Sequence, residues 1–270
     1  MSAHRLILNA VEKPWGCTGL SPQYGADPDR RVGEIWFTGP DNVPQPLLVK
    51  YLFTSERLSV QVHPDDGQAR ATGLAGGKSE CWYVLDTQGD ARLGIGLRHA
   101  VDADALRAAA LDGSIEDLMD WKPVRPGDFY YIPAGTIHAI GGGITLVEVQ
   151  QNNDVTYRLY DYGRPRELHL DAGMAVSRPE PYDRPVQHVA VDGSTILVDE
   201  AGAPFLLESR VCPAGEAIMF DTGLCWFIPF SGHGTIDGTA WQAGECWLIQ
   251  DRATLMVDAD MHAFLARPTD

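Results

Sequence analysis

The 270-residue chain lacks any run of about 18 apolar residues, the length a membrane-spanning helix needs. Its opening stretch, MSAHRLILNAVEKPWG, has too short an apolar segment and too early an acidic residue for a secretory leader, so the expectation is a cytoplasmic protein. Paired cysteines are missing too. Cys17, Cys81, Cys212, Cys225 and Cys246 are odd in number, scattered and without a CxxC pair. That pattern excludes a disulfide framework and a thiolate zinc site, and leaves the cysteines as small buried or half-buried hydrophobes. Basic charge is scarce: 21 Lys and Arg stand against 37 Asp and Glu, a net charge of −16. Such a field repels nucleic acid and anionic membrane surfaces. It leaves room for a small anionic substrate, because a local group of Arg and Lys in a cleft can override the mean field. Intrinsic disorder is excluded by 44% hydrophobic and 21% charged residues, the balance of a folded globular protein.

What the chain has in quantity is strands. Runs rich in β-branched and aromatic residues recur between Gly, Pro, Asp and Asn: PLLVKYLF, LSVQVH, CWYVLD, ARLGIGL, DFYYIP, ITLVEVQ and TYRLYDY, and later STILVDE, FLLESRVC, EAIMFD, CWFIPF, ECWLIQ and TLMVDA. Their spacing of about 8–12 residues predicts an all-β sandwich or barrel. The one convincing helical segment is about 101–120. Asp102 or Asp104 caps it, Gly113 stops it, and Ser114 with Asp117 reads as a capping box for a second short turn. Pro179, Pro181 and Pro185 mark the best boundary. The expected organisation is a domain at 1–182 and a smaller one at 183–270, and the related turns GDFYYIP and GECWLIQ suggest an internal duplication.

The chemistry concentrates in three segments of the first domain. In LSVQVHPDD, Gln61 and His63 stand two apart on a strand and share a face. In GGKSECWYVLD, Glu80 opens a strand, with Lys78 on the same face. In GDFYYIPAGTIHAI, two glycines and a proline lead a strand into a tight bend that presents His138. A lone histidine in a strand is more often a satisfied polar residue than a ligand; the set of four supports the metal reading. Two imidazoles, one carboxylate and one amide oxygen suit zinc, or less selectively manganese, iron or nickel. With one position left for water or substrate, the site is catalytic in type. His4, His99, His169, His188, His233 and His262 lie outside these segments and read as surface or locally hydrogen-bonded residues.

The spacing from Gly127 to His138 resembles the second signature of cupin barrels, and SVQVH resembles a variant of the first with Gln in place of a His. EKPWG, GEIWF, LLVKYLFTSERLSVQVHPDD, GKSECWYVLD and PAGTIHAIGGGITLVEVQQNNDVTYRLYDYGR, in that order, resemble the short bacterial form of the type I mannose-6-phosphate isomerases. The resemblance implies an all-β fold of two cupin-type jelly-roll barrels and interconversion of mannose 6-phosphate and fructose 6-phosphate with one zinc ion per chain. It places the zinc ligands on Gln61, His63, Glu80 and His138, an essential arginine on Arg158, and phosphate-binding residues on Ser59 and Arg164. Arg166 is a further basic neighbour. The long inserted helical domain of larger relatives is absent, and the last 85 or so residues carry no His/Glu ligand set, which predicts a metal-free, cupin-like second domain. Trp226, Trp241 and Trp247 are expected in its core or at the interdomain surface.

An aldose–ketose isomerisation moves a proton between C1 and C2 while negative charge develops on an enediolate oxygen. A metal ion stabilises that charge and orients the open sugar chain. Arg158, permanently charged, is expected to stabilise and position rather than to act as a base. Glu148, on LVEVQ, is the candidate general base and Lys78 the candidate proton relay. A salt-bridged Glu148 and a solvated Lys78 are the competing readings. The expected partner is a small sugar phosphate, with neither nucleic acid nor membrane, and the expected state is a monomer or homodimer. A cupin isomerase or epimerase for another sugar, and a non-catalytic sugar-sensing bicupin, are the alternative functions.

Overall fold

The computed structural model describes residues 2–221 and 223–269, and it is built almost wholly of β-strands. Three sheets, antiparallel throughout their named strand pairings, are stacked and share cores. The first has seven strands, in the spatial order Gln187–His188, Asp128–Ile132, Glu80–Thr87, Ile144–Gln151, Leu47–Thr54, Val32–Thr38 and Ile7–Cys17. The second has five: Tyr157–Tyr160, Val60–Val62, His138–Ile140, Arg92–Leu97 and Met119–Pro123. The third, of eight strands, runs through Ala3–Arg5, Trp247–Ile249, Cys225–Ile236, Ala253–Pro268, Phe205–Cys212 and Thr195–Val198. Ala217–Phe220 and Thr239–Gln242 pair off this path.

The seven-stranded sheet is buried on both faces, which explains why its central strands read as nearly continuous apolar runs. Every residue of Leu47–Thr54 is buried. By the two-residue period, Tyr51, Phe53, Tyr83, Val147 and Val149 face the eight-stranded sheet and pack with Phe205, Trp226, Leu248 and Phe264. Leu52, Trp82, Val84 and Leu146 face the five-stranded sheet and meet Leu93, Ile95 and Ile140. The far face of the five-stranded sheet is covered by helices through Leu106, Ala109, Ile115 and Val176. Beyond the shared core, the eight-stranded sheet has an inner core of its own around Phe227, Trp241, Trp247, Leu255 and Leu265. Trp226, Trp241 and Trp247 are buried, in agreement with the expectation for them, and all five cysteines are free, only Cys17 being less than buried.

The helical segment differs in detail from its reading in the sequence. Asp102 caps Ala103–Asp112 by accepting from the Ala105 amide, and Gly113 ends it at φ 89°. Ser114 makes no capping bond to Ile115–Leu118; its hydroxyl donates instead to Asp112 Oδ1 at 2.6 Å. Met119 and Asp120 are already strand, because the apolar side chains of this stretch complete the edge of the five-stranded sheet. Two short helices gave no periodic signal. Asp66–Ala71 is one turn held by a reciprocal Asp65–Gln68 capping box, and Leu170–Val176 carries a glycine at its middle.

Sheet membership crosses the proline-rich stretch at both ends of the chain. Ala3–Arg5 pairs with Trp247–Ile249, and Gln187–His188 pairs with Asp128 and Phe129. Among the described residues, no helix is long and apolar enough to cross a membrane.

Candidate metal centre

The five- and seven-stranded sheets face one another, and their facing side chains turn polar at one end of the shared core. His138 pairs directly with Gln61, and Gln61 with Arg158, so these three form one row across three strands. His63 lies two residues further along the same face, and Glu80 comes from the opposite sheet. His63, Glu80 and His138 are buried, and one ligand atom from each lies within 4.8 Å of the others. The His63 and His138 rings are 4.8 Å apart, and the edge of Trp82 packs on His138.

Both imidazoles are held by backbone carbonyls. His63 Nδ1 lies 2.8 Å from the Val155 carbonyl and His138 Nδ1 2.8 Å from that of Thr136. A carbonyl only accepts, so each Nδ1 carries the proton and each Nε2 presents its lone pair to the centre, an assignment made from the hydrogen-bond network. Burial is the main cause that pushes the pKa of His63 well below its usual range and that of His138 down to about 4. Neutral Nε2 atoms are what a metal requires. Glu80 is fully buried, and its Oε1 and Oε2 accept no hydrogen bond in proper geometry, although Lys78 Nζ sits 2.9 Å from Oε2 as an ion pair. Burial and then the like charge of Glu148 raise the Glu80 pKa to about 7 against the pull of Lys78. A buried carboxylate whose near cation is Lys78, facing two imidazole lone pairs, is a site that fits a divalent cation. Gln61 Nε2 stands 3.3 Å from His138 Nε2; turning the amide over would offer Oε1 as a fourth ligand.

Beside this centre, reached through Gln61 and Lys78, lies a cavity of about 290 Å³, lined among others by Ser59, Gln61, Lys78, Glu148 and Arg158. Lys78 is 4% exposed and ion-paired, not solvated, and Glu80 and Glu148 outweigh its burial to raise its pKa. Glu148 is salt-bridged: Oε1 lies 3.3 Å from Lys50 Nζ, and Oε2 accepts from Trp82 Nε1 at 3.2 Å. Burial opposes the charge on Glu148, but Lys78 and Lys50 prevail and hold its pKa below the ordinary carboxylate range. Arg158 donates from Nη1 to the Glu167 carbonyl at 2.8 Å, while its buried Nε has no acceptor. Burial and then Arg166 lower its pKa. Ser59 Oγ donates to Gln61 Oε1 at 3.3 Å, and with the amide turned over it would accept from Nε2 instead, so it braces the candidate ligand in either orientation.

Arg164 lies outside the cavity lining, and Arg166 is in it. The chain turns at Tyr162 (φ 55°) and Gly163 (φ 78°), and Asp161 clamps both arginines, at 2.7 Å to Arg164 Nη2 and 2.5 Å to Arg166 Nε. Arg164 also reaches the Arg57 carbonyl at 2.8 Å, which directs it away from the metal ligands. Reading the sequence also missed Lys13, Glu34 and Lys50 in the lining. Their signal was a lone charge inside an apolar run: Lys50 in LLVKYLF sits opposite both Glu148 and Trp36, with Nζ 4.6 Å from the Trp36 ring.

No protein-family model matches the chain. Among curated proteins, the one named probable mannose-6-phosphate isomerase GmuF of Bacillus subtilis is 36% identical over 215 residues, 64% of this chain and 68% of that protein. The chain belongs to the mannose-6-phosphate isomerase family. Mannose-6-phosphate isomerase ManA of the same organism is 38% identical over 204 residues, 61% of this chain and 64% of its own length. The crystal structure of the mannose 6-phosphate isomerase from Bacillus subtilis superposes with a TM-score of 0.81 at 25% identity, covering 99% of this chain and 100% of that one. A zinc-bound mannose 6-phosphate isomerase, 13% identical, shares the fold over 99% of this chain and 100% of its own with a TM-score of 0.72. The all-β, cupin-type fold expected from the family resemblance is the one observed.

Proposed function

We propose that the protein interconverts mannose 6-phosphate and fructose 6-phosphate, with a zinc ion held by Gln61, His63, Glu80 and His138. The observation that carries this reading is Glu80: a buried carboxylate, ion-paired to Lys78 at Oε2, facing two imidazoles locked by their carbonyls, beside a cavity rich in cations. The zinc-bound relative and the mannose-6-phosphate isomerases of Bacillus subtilis support the choice of metal and substrate. Zinc supplies Lewis-acid stabilisation of charge developing on the sugar oxygens.

The chain's own groups do the rest. Glu148, kept ionised by Lys50 and Lys78 and aimed by the Trp82 indole, takes the proton that moves between C1 and C2. The Lys78 ammonium donates toward the sugar oxygens and sets the field in which the enediolate forms. Arg158 turns its unpaired Nε toward that charge. Arg166, with Ser59, holds the phosphate, and Arg164 supports Arg166 through their shared Asp161. On this reading residues 1–182 carry the chemistry, and 183–270 form a metal-free domain that supports it.

A coupled assay of fructose 6-phosphate formation, with and without chelator, tests the proposal. Turnover that disappears with chelation and returns with zinc is expected; a zinc-loaded sample without turnover overturns it. Free mannose should be a far poorer substrate, and equal rates on both would remove the phosphate role given to Arg166 and Ser59.

A further inference from the structure

At the far end of the five-stranded sheet from Arg158, a second cleft of about 270 Å³ opens between Arg92–Leu97, Met119–Pro123 and the loop that follows His138–Ile140. Its wall holds Arg57, Arg92 and Arg98, with a single carboxylate, Asp90, around the half-buried indole of Trp121 and beside the Gly141–Gly142 backbone. Three guanidinium groups in one small cleft are out of keeping with a chain of net charge −16.

Their partners leave positive charge over. Arg57 meets Glu116 at 2.8 Å and Arg92 meets Asp90 at 2.9 Å, both at the surface, where such pairs are screened and easily exchanged. Among the described residues no carboxylate pairs with Arg98. The register of Arg92–Leu97 breaks between Gly94 and Leu97, where Gly96 takes φ 69°, so the strand bends between Arg92 and Arg98. Arg57 is held against the Trp121 ring, its guanidinium carbon 5.4 Å from the ring centroid, which orients its donors. The loop beside the cleft is held close: a Cβ at Gly142 would come 2.9 Å from the Ser55 carbonyl oxygen, so the backbone there packs directly against Ser55 and Glu56, the residues before Arg57.

We propose that this cleft is a second anion site, separate from the metal centre, that binds a phosphorylated small molecule through Arg57, Arg92 and Arg98. Guanidinium forks match phosphate oxygens in pairs, and the space holds a molecule of the size of pyrophosphate or a small phosphomonoester. Its neighbourhood reaches the catalytic cavity. The Arg57 carbonyl accepts from Arg164, and Arg164 shares Asp161 with Arg166, which lines that cavity. A ligand that moves Arg57 therefore acts on the loop carrying Arg166.

The test is a titration of the full-length chain with inorganic pyrophosphate, following the Trp121 indole N–H resonance, assigned with Trp121→Phe. That N–H donates to the Glu116 carbonyl 3.1 Å away, beside the carboxylate that pairs with Arg57. A saturable shift is expected. It should weaken about tenfold in Arg98→Ala, be lost in Arg98→Glu, and weaken as salt rises. Arg98 is exposed, so these variants should fold as the parent does. No saturable shift, or a shift of the same affinity in Arg98→Glu, overturns the proposal. Metal content and turnover of Arg98→Glu, measured in parallel without pyrophosphate, should match the parent, which keeps this result separate from the isomerase reading.

Discussion

The stacked five- and seven-stranded sheets and the eight-stranded sheet are alike in architecture and opposite in what they bury. Between the first pair lie His63, Lys78, Glu80, His138, Glu148 and Lys50, all at 4% exposure or less. Among the described residues from 183 onward, only Ser209 and His262 are buried polar groups, and they satisfy one another at 2.9 Å. Desolvated charges cost stability even when paired, so a core that keeps the Lys50–Glu148 and Lys78–Glu80 pairs beside two neutral imidazoles carries a burden that the third sheet does not. The apolar third sheet, sharing the Tyr83–Phe264 contact at 4.8 Å, stands behind that core and offsets part of the cost.

The contrast can be broken most sharply with one substitution made twice. His138→Ala should remove the bound metal and lower turnover about a thousandfold or more, whereas His262→Ala should leave metal content unchanged and affect stability only. Metal analysis and kcat on both variants decide it, and loss of metal from His262→Ala would erase the distinction. Arg158→Ala comes next: metal retained, kcat down by about 10²–10³, because a group that stabilises charge in the transition state has been removed.

The apolar side of the comparison is tested by Trp226→Ala, at a side chain with no exposure inside the core shared by two sheets. Denaturant unfolding should show a loss of about 3–5 kcal/mol. Smallest is Asp161→Asn. Arg166 and Arg164 outweigh burial and hold the Asp161 pKa below its usual value, so its contribution is present above about pH 4, the unfolded range, and is lost as pH falls through the folded pKa. The variant should be about 1–3 kcal/mol less stable at pH 7, with the gap closing only under more acid conditions. A gap that widened on acidification would contradict the ion pairs.

Much of this was legible in the sequence where a physical rule is strict. The strands CWYVLD, ITLVEVQ and DFYYIP lie where β-branched and aromatic runs placed them, and the two-residue period correctly put Gln61 and His63 on one face. The candidate ligands His63, Glu80 and His138 come together because Glu80 and His138 open strands, and His63 directly follows one, whose register is fixed by a buried apolar face. What the sequence did not show depends on tertiary direction. Whether Arg164 or Arg166 faces the cavity is decided by a turn at Tyr162 and Gly163, and the membership of Lys50 by which sheet covers its strand. The strand Met119–Pro123 was hidden behind a helical pattern because Met119, a good helix former, directly continues Ile115–Leu118, and the sheet edge overrides it.

The pairing of Ala3–Arg5 with Trp247–Ile249 joins residues 242 to 246 positions apart, and the contact between His4 and Gln250 spans 246. A ribosome delivers the first of these strands long before its neighbour exists. The edge of the eight-stranded sheet must then stay open through nearly the whole of synthesis, and its closure is a late, slow event of high contact order. In that interval the five- and seven-stranded sheets have all of their strands except Gln187–His188 available to pair. The order of manufacture therefore lets the five- and seven-stranded sheets take shape first and makes Ala3–Arg5 the latch that completes the third.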